Sequence, residues 1–430
     1  MKEQIKELFK SDFLINVLTL ATGTTISQAI PVAISPILTR IYSPEDFGLL
    51  ALFLSVIAIF SSIINGKYEA ALMIPKSEYE ALVLFKISII ICSALSLVLL
   101  IFVFFFKASI AQLLGSPEIS SWLYLLPIAT ILIGIYNSLT FINIRKKKYI
   151  EISKSVVYRS LNLSFIQVFL GFLNFGVVGL FVSQIFSYCS GHFVLFKSIK
   201  AKMKEIIDIP QKTVFTFAKD YIKFPLLTMP GYFLNSIAIN LNSFFITSLF
   251  NIGSLGYFSV TNKVLAAPSM ILGSSISKVY FQKMTKDINE NRDTMRVFKE
   301  TLMKLLIIGL PIFLFLFFTI RPAFIFIFGF EWVISAKIAK ILIPYLAIRF
   351  VSSALSPTLE AFQKQEWTAV INLVLILVLL LLFFASSYYN LSLLVFFKYY
   401  SALLALLYML FILLYYVIIL KYHEENLKET

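Results

Sequence analysis

Six cations lie inside apolar segments of this chain: Lys86, Arg159, Lys263, Lys278, Arg349 and Lys398. All 23 acidic residues lie instead in connections or near segment ends. An ionisable group within a bilayer is costly, so it faces a cavity or a partner. Lys86, Arg159, Lys278 and Lys398 are near enough to an end to snorkel, with the stem in the apolar layer and the head in water. Lys263 and Arg349 are too deep for that. With no carboxylate at their depth, the partner they suit is an anion in transit, which a guanidinium can grip with two parallel hydrogen bonds. Lys67-Tyr68-Glu69 adds a cation and an anion at the end of an apolar segment. Two positions apart on a helix, they diverge and each faces a different neighbour. Glu69 is thereby a candidate for gating or ion coupling. Lys67, Arg40, Arg159 and Lys86 complete a candidate cationic path with Arg349 and Lys263.

Other chemistry is missing. No GxxxxGK[ST] phosphate loop occurs, which excludes ATP-driven pumping by this chain. His192 and His423 have no partner at metal-ligand spacing, and no catalytic constellation or cofactor motif is present. Cys92 and Cys189 both fall well inside apolar segments, so no disulfide framework is implied. The N-terminus has no cleavable-signal pattern.

The elements that must position these residues are membrane helices. Residues of the AVILMFWYC set make up 59% of the 430, charged residues 14%, and mean hydropathy is +0.88. Soluble domains run at about 45–50% apolar and about 25% charged. Twelve spans of adequate length are expected at roughly 13–39, 45–65, 83–106, 119–141, 155–174, 177–196, 225–250, 256–281, 302–320, 337–358, 367–386 and 392–420. With the N-terminus inside, 26 of the 37 Lys and Arg fall on the cytoplasmic side and five (Arg40, Lys107, Arg321, Lys337 and Lys340) on the outside. That asymmetry places both termini in the cytoplasm. The net charge of +14 therefore reflects topology, and no nucleic-acid partner is expected.

The chain also repeats itself. Leu38-Thr39-Arg40-Ile41-Tyr42, followed by Phe47-Gly48, is echoed by Ile246-Thr247-Ser248-Leu249-Phe250, followed by Leu255-Gly256, at a constant offset of 208. A weaker echo relates Arg145–Tyr149 to Gln363–Trp367. Such repeats build many transporters. Two six-helix lobes are expected, at 1–196 and 225–430, joined by a cytoplasmic linker at 197–224. In the linker Val214, Phe217, Ala218 and Tyr221 follow helical spacing, as in a helix on the membrane surface. Lys2–Lys10 reads as a short interfacial anchor.

Spans 1 and 7 stand at matching places and share a polar, proline-interrupted character. Span 1 carries Thr25, Gln28, Pro31 and Pro36; span 7 carries Pro225, Pro230, Asn235 and Asn240. Such pairs point to a transport site. Thr25, Gln28, Asn235 and Asn240 are expected to line a cavity, with helix–helix hydrogen bonding as the competing use. Leu373–Leu382 in span 11 is wholly apolar and belongs against lipid.

The Leu-Thr-Arg-Ile-Tyr-Ser-Pro-Glu-Asp-Phe-Gly turn at 38–48, Lys67-Tyr68-Glu69 and the basic Arg145-Lys146-Lys147-Lys148-Tyr149 loop resemble Wzx-type flippases of the multidrug/oligosaccharidyl-lipid/polysaccharide exporter superfamily. The resemblance covers the whole chain, with a looser second half. It implies an all-α inner-membrane protein with two pseudo-symmetric lobes in a V around a central cavity. It also implies translocation of a polyprenyl-diphosphate-linked oligosaccharide, an O-antigen or capsule repeat unit, to the outer leaflet. On that reading spans 1, 2, 7 and 8 line the cavity, Lys263 and Arg349 attract the diphosphate, and the protein is not an enzyme. Membrane lipids, a polysaccharide polymerase, glycosyltransferases, and H+ or Na+ are the implied partners. A lipid II flippase or an ion-coupled multidrug antiporter of the same superfamily is the nearest alternative, although cationic drugs would call for an intramembrane carboxylate. A polysaccharide polymerase or ligase would need a sizeable polar outer loop, and the longest outside connection, 321–336, is mostly aromatic and aliphatic. A scaffold for glycosyltransferases is a third alternative.

Overall fold

A computed structural model describes residues 12–268, 273–290, 292–364 and 366–429. Among the described residues the regular structure is helical throughout. The chain divides into two compact units, Met1–Gly256 and Tyr257–Thr430. The Lys2–Lys10 segment lies outside the described residues.

In the first unit α1 (Asp12–Ile41) and α2 (Pro44–Ser61) lead to a one-turn helix, α3 (Tyr68–Ala71). Then follow α4 (Glu78–Leu113), α5 (Leu125–Arg145), α6 (Tyr149–Phe172), α7 (Val177–Phe196), the short α8 (Met203–Asp208) and α9 (Gln211–Asp220), and α10 (Met229–Leu249). α11 (Ile252–Pro268) crosses into the second unit, which continues with α12 (Ser274–Asn289), α13 (Thr294–Phe328), α14 (Val333–Leu355), the single turn α15 (Thr358–Ala361), α16 (Glu366–Tyr388) and α17 (Leu393–Glu429). Eight helical stretches among the described residues are long and apolar enough to cross a membrane. The expected spans outside this set are 1, 5, 7 and 8. Hydroxyls and amides dilute the apolar residues of α6 and α10, and span 8 is divided between α11 and α12, of 17 and 16 residues.

Polar groups inside such helices need partners that water would otherwise supply. Pro31 has no N–H to give the carbonyl of Ser27, four residues back. Ser160 on α6 donates its hydroxyl to that carbonyl, and Ser153 donates to Thr19 O at 2.7 Å. Within α1, Thr24 and Ser35 return their hydroxyls to Leu20 O and Pro31 O at 2.8 and 2.6 Å. α10 is tied to α2 in the same way, by Ser55–Ser243 hydroxyls 2.7 Å apart and by Ser236 donating to Ala58 O at 3.0 Å. Part of the polarity of spans 1 and 7 thus serves helix packing.

The repeat has a structural counterpart. The Ser43 side chain caps α2, accepting from Asp46 N at 3.2 Å, while Asp46 accepts from Ser43 N at 3.0 Å. At the same offset of 208, the Asn251 side chain accepts from Ser254 N at 2.8 Å at the start of α11. A Cβ added to Gly48 would collide with the carbonyl oxygen of Ile252, and one added to Gly256 would collide with that of Pro44. Ile252 is the counterpart of Pro44 and Gly256 of Gly48, so each first turn packs its carbonyl on the other's glycine.

α16 shows Leu373, Leu377 and Leu381 exposed along its apolar stretch. On α9, Val214, Phe217, Ala218 and Tyr221 are half-buried and pack against the buried cluster around Tyr68 and the start of α4.

Replacing Gly48 or Gly256 by Ala should lower the melting temperature of the purified protein by an amount corresponding to about 1–3 kcal/mol. The same change at Gly231, where an added Cβ meets open space, should not. Thermal unfolding followed by size-exclusion chromatography measures this, and equal tolerance at all three positions would contradict the close crossing.

Candidate functional site

The turn after α2 is built on Asn65. Its amide donates to Ser88 Oγ, Gly134 O and Ser138 Oγ, each at 3.0 Å, and so pins the turn to α4 and α5. Gly66 and Lys67 then take left-handed φ of 58° and 62°. Lys67 precedes α3, so the helical rule that keeps positions two apart from meeting does not apply. The expected divergence is therefore overturned: Lys67 Nζ stands 3.7 Å from Glu69 Oε1. The same ammonium lies 3.7 Å from the centroid of the Tyr232 ring, at the start of α10. Tyr68, between them, donates to Ala218 O at 2.8 Å. Glu69 is only 5% exposed, and its Oε2 has no hydrogen-bond partner among the described residues. Burial pushes the Glu69 carboxyl above its ordinary range, and the Lys67 charge opposes that rise. Burial likewise lowers the Lys67 ammonium.

Other cations named from sequence have structural work. Lys86 donates to Ile207 O and Ile209 O at 2.8 and 2.9 Å, closing the carbonyl end of α8, where a cation also complements the helix dipole. The Arg159 guanidinium is half-buried over the faces of Tyr188 (4.3 Å) and Tyr136 (5.6 Å), so it is held by aromatic rings instead of reaching for water. Arg145 donates to Leu72 O at 2.9 Å and Ser77 O at 3.1 Å, clasping the 72–77 loop. Arg40 is exposed at the end of α1. Thr25 and Gln28 are exposed on α1, Asn235 and Asn240 are half-buried on α10, and Asn240 donates to Ser236 O at 2.8 Å.

In the second unit Arg349 sits on α14 with an exposed side chain, and one guanidinium nitrogen donates to Tyr345 OH at 3.1 Å. The Tyr345 ring packs against Tyr400 and Tyr408 of α17, at centroid distances of 5.9 and 5.8 Å. These tyrosines were not picked out from the sequence, though Tyr345 lies one helical turn before Arg349. They fix one edge of the guanidinium and leave further donors for a ligand. No carboxylate pairs with Arg349 or with half-buried Lys263 among the described residues.

Arg349 and Lys263 do not form one clamp. Tyr257 stacks edge-on to Trp332, and Thr261 donates to Ser335 O at 3.1 Å, so α11 and α14 run in the same direction. Lys263 lies two residues beyond Thr261 and Arg349 fourteen beyond Ser335. At about 1.5 Å per residue they are separated by on the order of 18 Å along the helices, too far for one diphosphate to bridge.

The fold defines a multi-pass helical membrane protein. Among solved structures, the chain is similar to lipid II flippase MurJ in an inward closed conformation, with TM-score 0.74 and 16% identity over 92% of this chain and 87% of that one. It is also similar to a multidrug resistance MATE family transporter of the MOP superfamily in an inward-facing conformation, with TM-score 0.70 and 15% identity over 95% and 96%. At such identities these likenesses show the fold. The chain belongs to the polysaccharide biosynthesis protein family, which it matches over residues 37–337, in keeping with its Wzx-type motifs. A relative by sequence is the succinoglycan biosynthesis transport protein ExoT of Rhizobium meliloti (strain 1021), 23% identical over 307 residues. That match takes in 69% of this chain and spans 58% of the length of the relative.

The Glu69 environment predicts a pH dependence with a definite sign. A carboxyl whose pKa is raised by folding binds its proton more tightly in the native state, so its contribution to stability falls as pH rises. Wild type and Glu69→Gln should melt alike below about pH 4.3, the unfolded glutamate value. Wild type should then lose ground steadily above it. Thermal shift across pH measures the difference. A wild type that gains on Glu69→Gln with rising pH would mean that the Lys67 pair outweighs burial.

Proposed function

We propose that the chain is a flippase that carries a polyprenyl-diphosphate-linked oligosaccharide from the cytoplasmic to the outer leaflet by alternating access. The observation that carries this reading is Arg349: a guanidinium on an apolar helix, oriented by Tyr345, exposed, and without a carboxylate partner among the described residues. An isolated cation at that depth costs at least ~2.5–3.5 kcal/mol on insertion scales, which an anionic headgroup in passage would offset. Family membership and likeness to ExoT, a succinoglycan biosynthesis transport protein, support a polysaccharide cargo. O-antigen and capsule repeat units are both cargoes of this chemistry.

The basic-residue asymmetry supports a bacterial inner-membrane location with both termini in the cytoplasm, and the 208-residue repeat supports lobes at 1–196 and 225–430 about the 197–224 linker. Arg349 and Lys263, at separate depths, would engage the diphosphate in succession. Glu69, buried beside Lys67, is the coupling candidate, with H+ or Na+ as the driving ion. Likeness to MATE transporters favours ion coupling, and likeness to MurJ keeps lipid II as a second cargo. The cationic character of the site counts against cationic drugs.

The test is complementation of a flippase-null strain. Arg349→Ala should insert and accumulate as wild type does, yet restore surface polysaccharide with about a ten- to hundredfold loss, the worth of a charge-assisted contact. Arg349→Lys keeps the charge without the fork and should retain part of the activity. Arg349→Glu should restore none. Full restoration by Arg349→Ala would contradict the proposal.

A further inference from the structure

Two cavities in the second unit run into each other. The first, about 410 Å³, is a furrow between α13, α14 and α17 with Gly309, Pro344 and Ala347 among its lining residues and walls that include Leu306, Leu310 and Leu314. The second, about 480 Å³, shares Phe317 and Pro344 with the first and is lined in addition by Lys340 on α14 and by Lys398 and Ser401 on α17. Every side chain lining the first cavity is apolar. The second has two exposed ammonium groups, that of Lys340 lying 5.0 Å from the centre of the Phe317 ring. Ser401 donates to Ile341 O at 2.7 Å and fixes the two helices to each other at this level. No acidic residue lines either cavity.

An apolar furrow with a cationic head has the chemistry of a lipid site whose headgroup is an anion. Its length selects among lipids. The lining on α13 runs from Phe317 inward to Leu302, which at 1.5 Å per residue is about 22 Å. Half of a hydrocarbon core is only about 15 Å. A chain hung from Lys340 and Lys398 and filling the furrow must therefore pass the bilayer midplane. The acyl chains of an outer-leaflet phospholipid stop there, whereas a long polyprenyl chain does not. The two lysines stand within about two turns of the starts of α14 and α17, on the side that the basic-residue distribution assigns to the outside.

We infer that this furrow is a docking groove for a polyprenyl phosphate-linked lipid in its outer-leaflet orientation, with the phosphate between Lys340 and Lys398 and the chain along α13. The inference rests on the proposed flippase reading and assigns the groove to the product side of it. Arg349, on the same helix as Lys340, is not among the residues lining either cavity. The groove therefore holds a lipid anchor that has already been moved, and its occupancy would keep the flipped lipid beside the protein until the next carrier or polymerising step takes it.

The experiment uses the purified full-length chain with a photo-crosslinking residue in place of Leu302, at the deep end of the furrow, in phosphatidylcholine nanodiscs. Three probes are supplied separately: a long-chain polyprenyl diphosphate, farnesyl diphosphate with the same headgroup and a short chain, and phosphatidylglycerol. The long-chain probe should be captured about tenfold more than either of the others, and Lys340→Gln/Lys398→Gln should reduce its capture about tenfold. Ala347→Trp, which fills the furrow, should reduce it as well. The lysine pair is solvent-exposed, so its replacement serves should the tryptophan variant fail to fold. Equal capture of phosphatidylglycerol, or capture indifferent to both sets of variants, would overturn the groove. Because capture involves no transport, its failure alongside normal complementation by the wild-type chain would remove the groove and leave the flippase reading standing. Specific capture alongside absent complementation would support the groove and remove the flippase reading.

Discussion

The first unit depends on one close backbone crossing. Where α2 and α11 begin, Gly48 packs on the carbonyl of Ile252 and Gly256 on that of Pro44. A backbone carbonyl cannot rotate out of the way as a side chain can, so no larger residue fits either place without moving a helix. The side-chain caps at Ser43 and Asn251 satisfy the first N–H groups of both helices at the crossing. Further along, the Ser55–Ser243 and Ser236–Ala58 hydrogen bonds keep α10 against α2. α10 in turn brings Tyr232 to the Lys67 ammonium. The cation of the Lys67-Tyr68-Glu69 turn is thus seated by a crossing at the far end of α2.

A second division runs through the polar residues. Some are consumed by the fold: Ser160 fills the carbonyl vacated at Pro31, Lys86 closes α8, Arg159 lies on two tyrosine faces and Arg145 clasps a loop. Ser160 and Arg159 thereby meet needs that the membrane makes expensive to leave unmet. Others stay available. Thr25 and Gln28 are exposed, Glu69 keeps one carboxylate oxygen without a partner, and Arg349 spends one hydrogen bond on Tyr345. On the proposed flippase reading, the separation of Arg349 and Lys263 along the helices would suit a charge handed from one cation to the next better than a single tight site, since binding that is too strong at one position stalls a carrier's cycle.

Much of this was legible in the residues. Helical class, the basic asymmetry, the lipid-facing Leu373–Leu382 stretch and the repeat all follow from composition and spacing. The repeat is structurally better than its letters suggest: Asn251 matches Ser43 as a cap although the residue types differ, because both supply a short side-chain acceptor. Other features were hidden for identifiable reasons. Lys67 pairs with Glu69 only because Gly66 and Lys67 adopt left-handed backbone, which spacing on an assumed helix cannot show. The α9 face is equally apolar whether it meets lipid or protein, so periodicity gave its shape and not its neighbour. The tyrosine set around Arg349 joins two helices some fifty residues apart in sequence, and only packing reveals such a set.

Passage of an anionic lipid-linked sugar across the bilayer through this chain is tested most directly by reconstituting the purified protein in proteoliposomes carrying a radiolabelled polyprenyl-diphosphate oligosaccharide in both leaflets, with an impermeant glycosidase added outside. Wild-type protein should expose the inner pool to the enzyme and bring cleavage close to completion, while Arg349→Ala vesicles should stop at the outer half. Cleavage that stops at the outer half with wild type as well, under an imposed proton gradient, sodium gradient or membrane potential alike, would contradict the account.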